Sequence, residues 1–284
     1  MKKYIYIAYA YMALALTMSC SDGSDAVGPS QIDTNPPILN DLDIWLRSSF
    51  VSPYNIEVLY KWDINDTDID RFLHPPLESS VKPVAEALQK AWIEPYTEVG
   101  GADFIKKIAP RQFTFVGSFN YNPNSPTITL GVAEAGAKIT LFNIDFLDFT
   151  DINSIKQPLK TVQHEYAHIL NQNIPIDPKY GLINPEDYSA QWFNREDAEA
   201  RELGYITAYA SSQESEDFVE MVSEMLTNSK SEFDALVDGV TSDRARAIIR
   251  QKEAIVVAYY KNNFDIDIYE LQALTYAGTQ QLVN

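Results

Sequence analysis

Two of the chain's three histidines, His164 and His168, stand four residues apart in a stretch running from Lys160 to Leu170, and Glu165 directly follows the first. On a helix, positions four apart return to one face a turn later, so both imidazoles can reach one metal ion. Glu165 is then rotated by roughly 100° from His164, which aims its carboxylate at a water on the metal rather than at the metal itself. The pattern is H-E-x-x-H, and the chemistry it serves is water activation at zinc. The competing reading is a helix that carries two surface histidines. Val162, Ala167, Ile169 and Leu170 argue against it, because an apolar segment partly buries the imidazoles and buried imidazoles need partners.

Catalytic zinc takes three protein ligands plus water, so a third donor is required. The single cysteine is Cys20, near the start of the chain. His74 lies in the extended segment Leu73-His74-Pro75-Pro76 and reads as structural. A carboxylate from a later helix is the natural candidate, and the stretch from Tyr209 to Glu220 offers several. Phe218, Met221, Val222 and Met225 mark the buried face of a helix that its preceding serines are expected to cap. Glu216 and Glu220 lie one turn apart on another face, so both can meet one site. Spacing alone leaves Glu216, Glu220 and Glu214 open as the third ligand.

The elements that must position these residues read as an α+β fold, a sheet first and helices afterwards. A helix is expected over 40–50, a strand over 56–62, a polar loop over 63–70 and a helix over 81–93 that Pro95 stops. A short helical turn follows at 104–108. Strand candidates at 112–117, 127–132 and 138–142 are separated by turn residues and read as an antiparallel meander. The histidine helix spans 151–171, its start delayed by Pro158. After a loop at 173–188 come helices at 195–203, 217–227, 243–261 and 268–277, the first of them ending at Gly204.

Residues 1–19 read as a signal peptide: Lys2 and Lys3 precede an uncharged apolar run from Ile5 to Met18, too short to span a bilayer. The run ends at Thr17-Met18-Ser19-Cys20, which resembles a bacterial lipoprotein signal with Cys20 as the lipidated residue, although Thr17 stands where leucine is usual. An ordinary secretory peptide with an odd thiol left over is the alternative. Residues 20–37 are rich in Ser, Asp, Gly and Pro and read as a flexible tether. One domain is expected over 38–284. With one cysteine no internal disulfide is available, and a net charge of -18 from 40 acidic and 22 basic residues disfavours nucleic acid and anionic membrane surfaces as partners.

The chain resembles the zinc-binding metallopeptidase lipoproteins described as substrate import-associated zinc metallohydrolases, and more distantly the gluzincin-type peptidases related to anthrax lethal factor. In the latter a tyrosine precedes the glutamate zinc ligand by seven residues and another acid follows it by four, a spacing that Tyr209, Glu216 and Glu220 repeat. Asp217-Phe218-Val219-Glu220, Leu73-His74-Pro75-Pro76 and Phe115-Val116-Gly117-Ser118 carry the lipoprotein likeness. The lethal-factor likeness covers roughly residues 138–230; the lipoprotein likeness runs the length of the chain. The resemblance implies a zincin-like fold, Zn2+ held by His164, His168 and Glu216, Glu165 as general base, Tyr209 stabilising a developing oxyanion and Glu220 orienting a histidine from behind. It also implies a peptide or protein substrate, which could add along strand 138–142 by edge pairing. The acidic residues after Cys20 resemble the surface-export signal of outer-membrane lipoproteins, which implies a cell-surface location beside an import complex. The competing function is a surface lipoprotein that binds a glycan or protein and whose metal site is structural or vestigial. Such a site has no use for the base at Glu165.

Overall fold

The computed structural model describes residues 38–63, 70–134 and 136–283. The expected signal peptide, Cys20, the tether and most of the polar loop at 63–70 lie outside the described residues. Six short strands are described: β1 (Glu57–Leu59), β2 (Gln112–Phe115), β3 (Asn120–Tyr121), β4 (Ile128–Thr129), β5 (Gly131–Glu134) and β6 (Lys138–Leu141). Four of them form one sheet in the order β1-β2-β6-β5, and β3 and β4 form a separate hairpin.

The expected antiparallel meander is corrected here. β1, β2 and β6 run parallel, with Phe113 opposite Ile139 and Phe115 opposite Leu141, and only β5 is antiparallel, on the outer side of β6. The middle candidate strand divides at Leu130 between the hairpin and β5. Burial explains the difference: β2 and β6 carry consecutive buried residues, as interior parallel strands covered by helices do, whereas β5 alternates as an edge strand does. Turn residues show where strands begin and end but not which neighbours they take. The same topology corrects the expected substrate edge, because β6 lies inside the sheet and β5 is the edge beside it.

The parallel pairing of β1 with β2 requires a long crossover. Helices supply it. Following α1 (Asp41–Leu46), α2 (Glu78–Leu88) widens into a π-helical turn at Gln89–Ile93, continues as α3 (Glu94–Gly100), and is followed by α4 (Phe104–Ile108). Pro95 therefore does not stop the helix. A proline lacks the N–H that would bond the carbonyl four residues back, and its ring crowds that carbonyl. The π turn loosens the backbone just before it, and the freed Ala91 carbonyl accepts from the Gln163 side chain at 3.3 Å.

The later helices are α5 (Ile152–Asn173), α6 (Asp197–Glu202), α7 (Glu214–Thr227), α8 (Lys230–Asp238), α9 (Asp243–Phe264) and α10 (Ile268–Gln280). α5 starts at once behind its cap Asp151, whose side chain accepts from the Asn153 N–H, and takes Pro158 inside as a buried residue. α8 was not foreseen, although Ser229 and Glu232 form the reciprocal capping pair that announces it. Tyr166, fully buried, meets Trp92 and Tyr96 edge-on at 5.1 and 5.0 Å, and Trp92 meets Phe113 at 5.5 Å. Each such ring pair contributes roughly 0.5–1.5 kcal/mol beyond area burial, so this knot locks α5 between the sheet and the π turn. From Leu39 onward the described residues form one compact unit, and no helix among them is long and apolar enough to cross a membrane.

Candidate metal centre

α5 packs directly against α7. Tyr166 faces the core from α5, so the helical period carries His164 and His168 to the side that meets α7. Their rings lie 5.0 Å apart. From the first turn of α7, Glu216 brings Oε2 to 3.1 Å from His164 Nε2 and 3.3 Å from His168 Nε2. Among the described residues these three side chains form the group able to hold a metal ion, with donor atoms all within 4.8 Å of one another. A tetrahedral zinc shell with bonds of ~2.0–2.2 Å sets its donors about 3.3 Å apart. The two distances to Glu216, and two imidazoles with one carboxylate as the donors, fit zinc.

Glu220, one turn on, approaches His164 from the other side, its Oε1 lying 2.7 Å from Nδ1. That contact fixes the Nδ1 proton and leaves Nε2 for a metal. Glu220 is itself held: Thr207 Oγ1 donates to its Oε2 at 2.6 Å, and Lys160 reaches it at 3.1 Å and Glu224 at 2.5 Å. Glu214, the third acid the spacing allowed, is exposed and packs against Gly181. The serines before α7 do not cap it: Gln213 occupies the cap position without bonding the helix backbone, its side-chain amide donating to Glu216 at 3.3 Å, and Ser211 donates to the Ala208 carbonyl instead.

The electrostatics follow from burial and these pairings. Burial works against the charged form of His164, but the hydrogen bonds to Glu216 and Glu220 outweigh it and push its pKa up to about 10 in the metal-free protein. Burial likewise opposes ionisation of Glu216 and Glu220. The two imidazoles hold Glu216 well below the usual carboxylate range, and Lys160, then His164, do the same for Glu220. Glu165 is buried and outside the donor group; burial raises its pKa, the two histidines oppose the rise, and the Ala133 N–H of β5 bonds to it. Tyr209 lies on a helical turn at Tyr209–Ser211, with its ring nearly parallel to His164 at 5.7 Å and 4.8 Å from Trp192. Burial, then the Glu216 charge, keeps its hydroxyl protonated well above the ordinary tyrosine range.

These groups line a cleft of about 320 Å³, bounded by Ile128, Leu130 and Gly131 on one side and Trp192 and Tyr209 on the other. Gly131 is required by contact: a Cβ there would collide with Thr161 Cγ2 of α5. Beneath the centre, Asp217 and Lys252 make a fully buried pair at 2.5 Å, with Tyr188 donating to Asp217 at 2.9 Å and Lys252 donating to the Gly204 carbonyl at 3.0 Å. This pair ties the first turn of α7, and so Glu216, to α9. Sequence reasoning missed Lys160, Thr207, Gly131, Trp192 and Lys252. Only Lys160 had a local signal, being four residues before His164 on the same helix face. His74 is elsewhere in role: its carbonyl accepts from the Gly117 N–H, its N–H donates to Ser118, and its ring faces Asp145 at 3.8 Å, so two of the stretches that carry the family likeness pack on each other.

Comparison with known proteins points the same way. A crystal structure described as a putative zinc-binding metallo-peptidase from Bacteroides caccae ATCC 43185 is similar at 30% sequence identity and a TM-score of 0.71, over 85% of this chain and 92% of that one. A search of curated proteins gave no match. The family profile described as "Putative zinc-binding metallo-peptidase" matches residues 37–269, most of the chain. With a zinc-binding profile over that span and a donor set that fits zinc, this chain belongs to that metallopeptidase family.

Proposed function

We propose that the protein hydrolyses peptide bonds at a gluzincin-type zinc centre held by His164, His168 and Glu216. The observation that carries this is Glu165, a buried carboxylate beside the three donors yet outside their group. When bound, zinc supplies Lewis-acid chemistry, acidifying a water and polarising a carbonyl. Glu165 takes the proton of the attacking water and returns it to the leaving amine. Tyr209, kept protonated, donates to the carbonyl oxygen as it gains charge, and Glu220 orients His164. The peptide lies along the edge strand β5, whose Ala133 N–H already turns away from β6 to Glu165. Tyr209 preceding Glu216 by seven residues, and Glu220 following by four, support the gluzincin assignment.

The amino-terminal pattern supports export, lipidation at Cys20 and an outward-facing place on the outer membrane, beside an import complex that takes up the products. Metal analysis combined with cleavage of a quenched-peptide library tests the chemistry. Wild type and Glu165→Gln should both hold one zinc, and the variant should lose ~10²–10⁴-fold in kcat. Equal, negligible turnover in two zinc-loaded proteins would show a binding site rather than an enzyme.

A further inference from the structure

Ile128 of β4 and Leu130, at the break between β4 and β5, both line the cleft and are 38% and 36% exposed. Tyr121 stands opposite Ile128 in the β3–β4 register, so its side chain shares the face of Ile128, and it is 65% exposed. Asn120 before it is buried, which puts Phe119 on the outer face again. The Phe119 ring lies 5.8 Å from Tyr121 and 5.2 Å from Phe146, itself 60% exposed. Arg71 donates to the Tyr121 carbonyl and to Asn122, which anchors the hairpin that displays these rings. The result is a continuous apolar strip that starts inside the cleft and leads out of it, and contiguous exposed apolar surface of this kind marks a site of interaction.

We infer that this strip binds the substrate chain beyond the scissile bond, so that the substrates are extended or unfolded polypeptides with an aromatic or aliphatic residue some positions from the cut. This rests on the hydrolase reading above. Any molecule seated in the cleft already lies against Ile128 and Leu130, and the cleft is at the small end of ligand sites, so a longer occupant continues onto Tyr121 and Phe119. An extended chain presents side chains with a period of two, as the hairpin does. A sugar chain fits less well, because its hydroxyls would face aliphatic side chains without hydrogen-bond partners.

The test uses the zinc-loaded full chain and a Tyr121→Ser/Phe146→Ser variant, with quenched hexapeptides that span the cleft and fluorescently labelled β-casein as the long unfolded substrate. Both side chains are exposed, and circular dichroism with zinc content checks that the variant is intact. The ratio of casein to hexapeptide kcat/KM should fall at least fivefold, through the casein KM. Labelled casein should also bind at least fivefold more weakly when the two changes are placed in a Glu165→Gln background, where no turnover is needed. An unchanged ratio and an unchanged Kd would remove the strip and leave the hydrolase standing. No cleavage of either substrate by wild type would overturn the hydrolase reading and the substrate class with it. Strip-dependent binding of soluble starch with casein binding unaffected would assign the strip to glycans and overturn the proposal.

Discussion

Two glutamates one turn apart on α7 meet the same imidazole from opposite sides, and this separates their expected phenotypes. Glu216 contributes a donor atom to the group shared with both Nε2 atoms, whereas Glu220 accepts from Nδ1. Glu216→Ala should therefore abolish tight zinc binding. Glu220→Ala should weaken it by ~10–100-fold, the usual effect of losing a partner behind a metal-bound histidine. Competition with a chromophoric chelator reads both, and the reverse order would move the third ligand to Glu220. Thr207 acts one step further out, since its hydroxyl donates to Glu220 and accepts the Ala210 N–H at 3.0 Å, tying the turn that carries Tyr209 to the acid behind His164. Thr207→Val leaves two buried groups short of a partner, at a cost of about 1–3 kcal/mol each. Thr207→Ser should restore stability measured by urea unfolding.

At the scale of elements, the site depends on how closely β5 approaches α5. Gly131 permits that approach, and the same strand supplies the Ala133 N–H to Glu165. Gly131→Ala should push the strand away, keep zinc stoichiometry and lower kcat by up to ~10²-fold, the loss expected when a reacting group is misplaced by about 1 Å. Adding Thr161→Ser removes the methyl that the new Cβ would strike and should restore most of the rate. If the double variant is as slow as the single, the close approach is not what Gly131 provides. The π turn before Pro95 serves the same helix from its other side, because Gln163 of α5 closes the carbonyl that the proline leaves open.

For the whole molecule, the described residues from Leu39 onward form one compact unit, and the anchor proposed at Cys20 precedes it in the chain. Under the lipoprotein reading, Cys20 carries the anchor and residues 20–37 form a tether that extends by roughly 3.5 Å per residue at most, which keeps the centre near the membrane. A single acyl chain holds weakly, at about 0.8 kcal/mol per buried methylene, and the several chains of a lipoprotein hold firmly. Cys20→Ser should release or mislocalise the protein while zinc content and peptide turnover stay at wild-type values. Cell fractionation and protease treatment of intact cells read the outcome. A variant that stays membrane-bound, with wild type resistant to protease, would sink both the anchor and the outward orientation.

The sequence by itself determined what is local to one helix. His164, Glu165 and His168 are placed by the 3.6-residue period alone, and the apolar residues between them already imply burial, so the face that carries the candidate metal donors, with Glu165 beside it, was legible before any fold was known. The α7 acids were legible as a pair for the same reason. Which of them faces the metal was not, because that depends on which flank of His164 the neighbouring helix passes, a matter of packing between segments about fifty residues apart. The strand segments of the main sheet were found, although β3 was missed and β4 and β5 were read as one, but their partners were not, since periodicity records a strand's two faces and is silent about its edges. Pro95 was misread as a stop because the group that rescues its open carbonyl, Gln163, comes from a distant helix. Lys252, a lysine in a charged stretch of α9, gave no sign that it would be buried against Asp217; only the convergence of α7 and α9 creates the partner that makes its burial affordable in free energy. Tertiary structure thus decided every feature that requires two segments to meet, because contact between distant segments is set by packing of whole faces and leaves no fixed spacing in the chain.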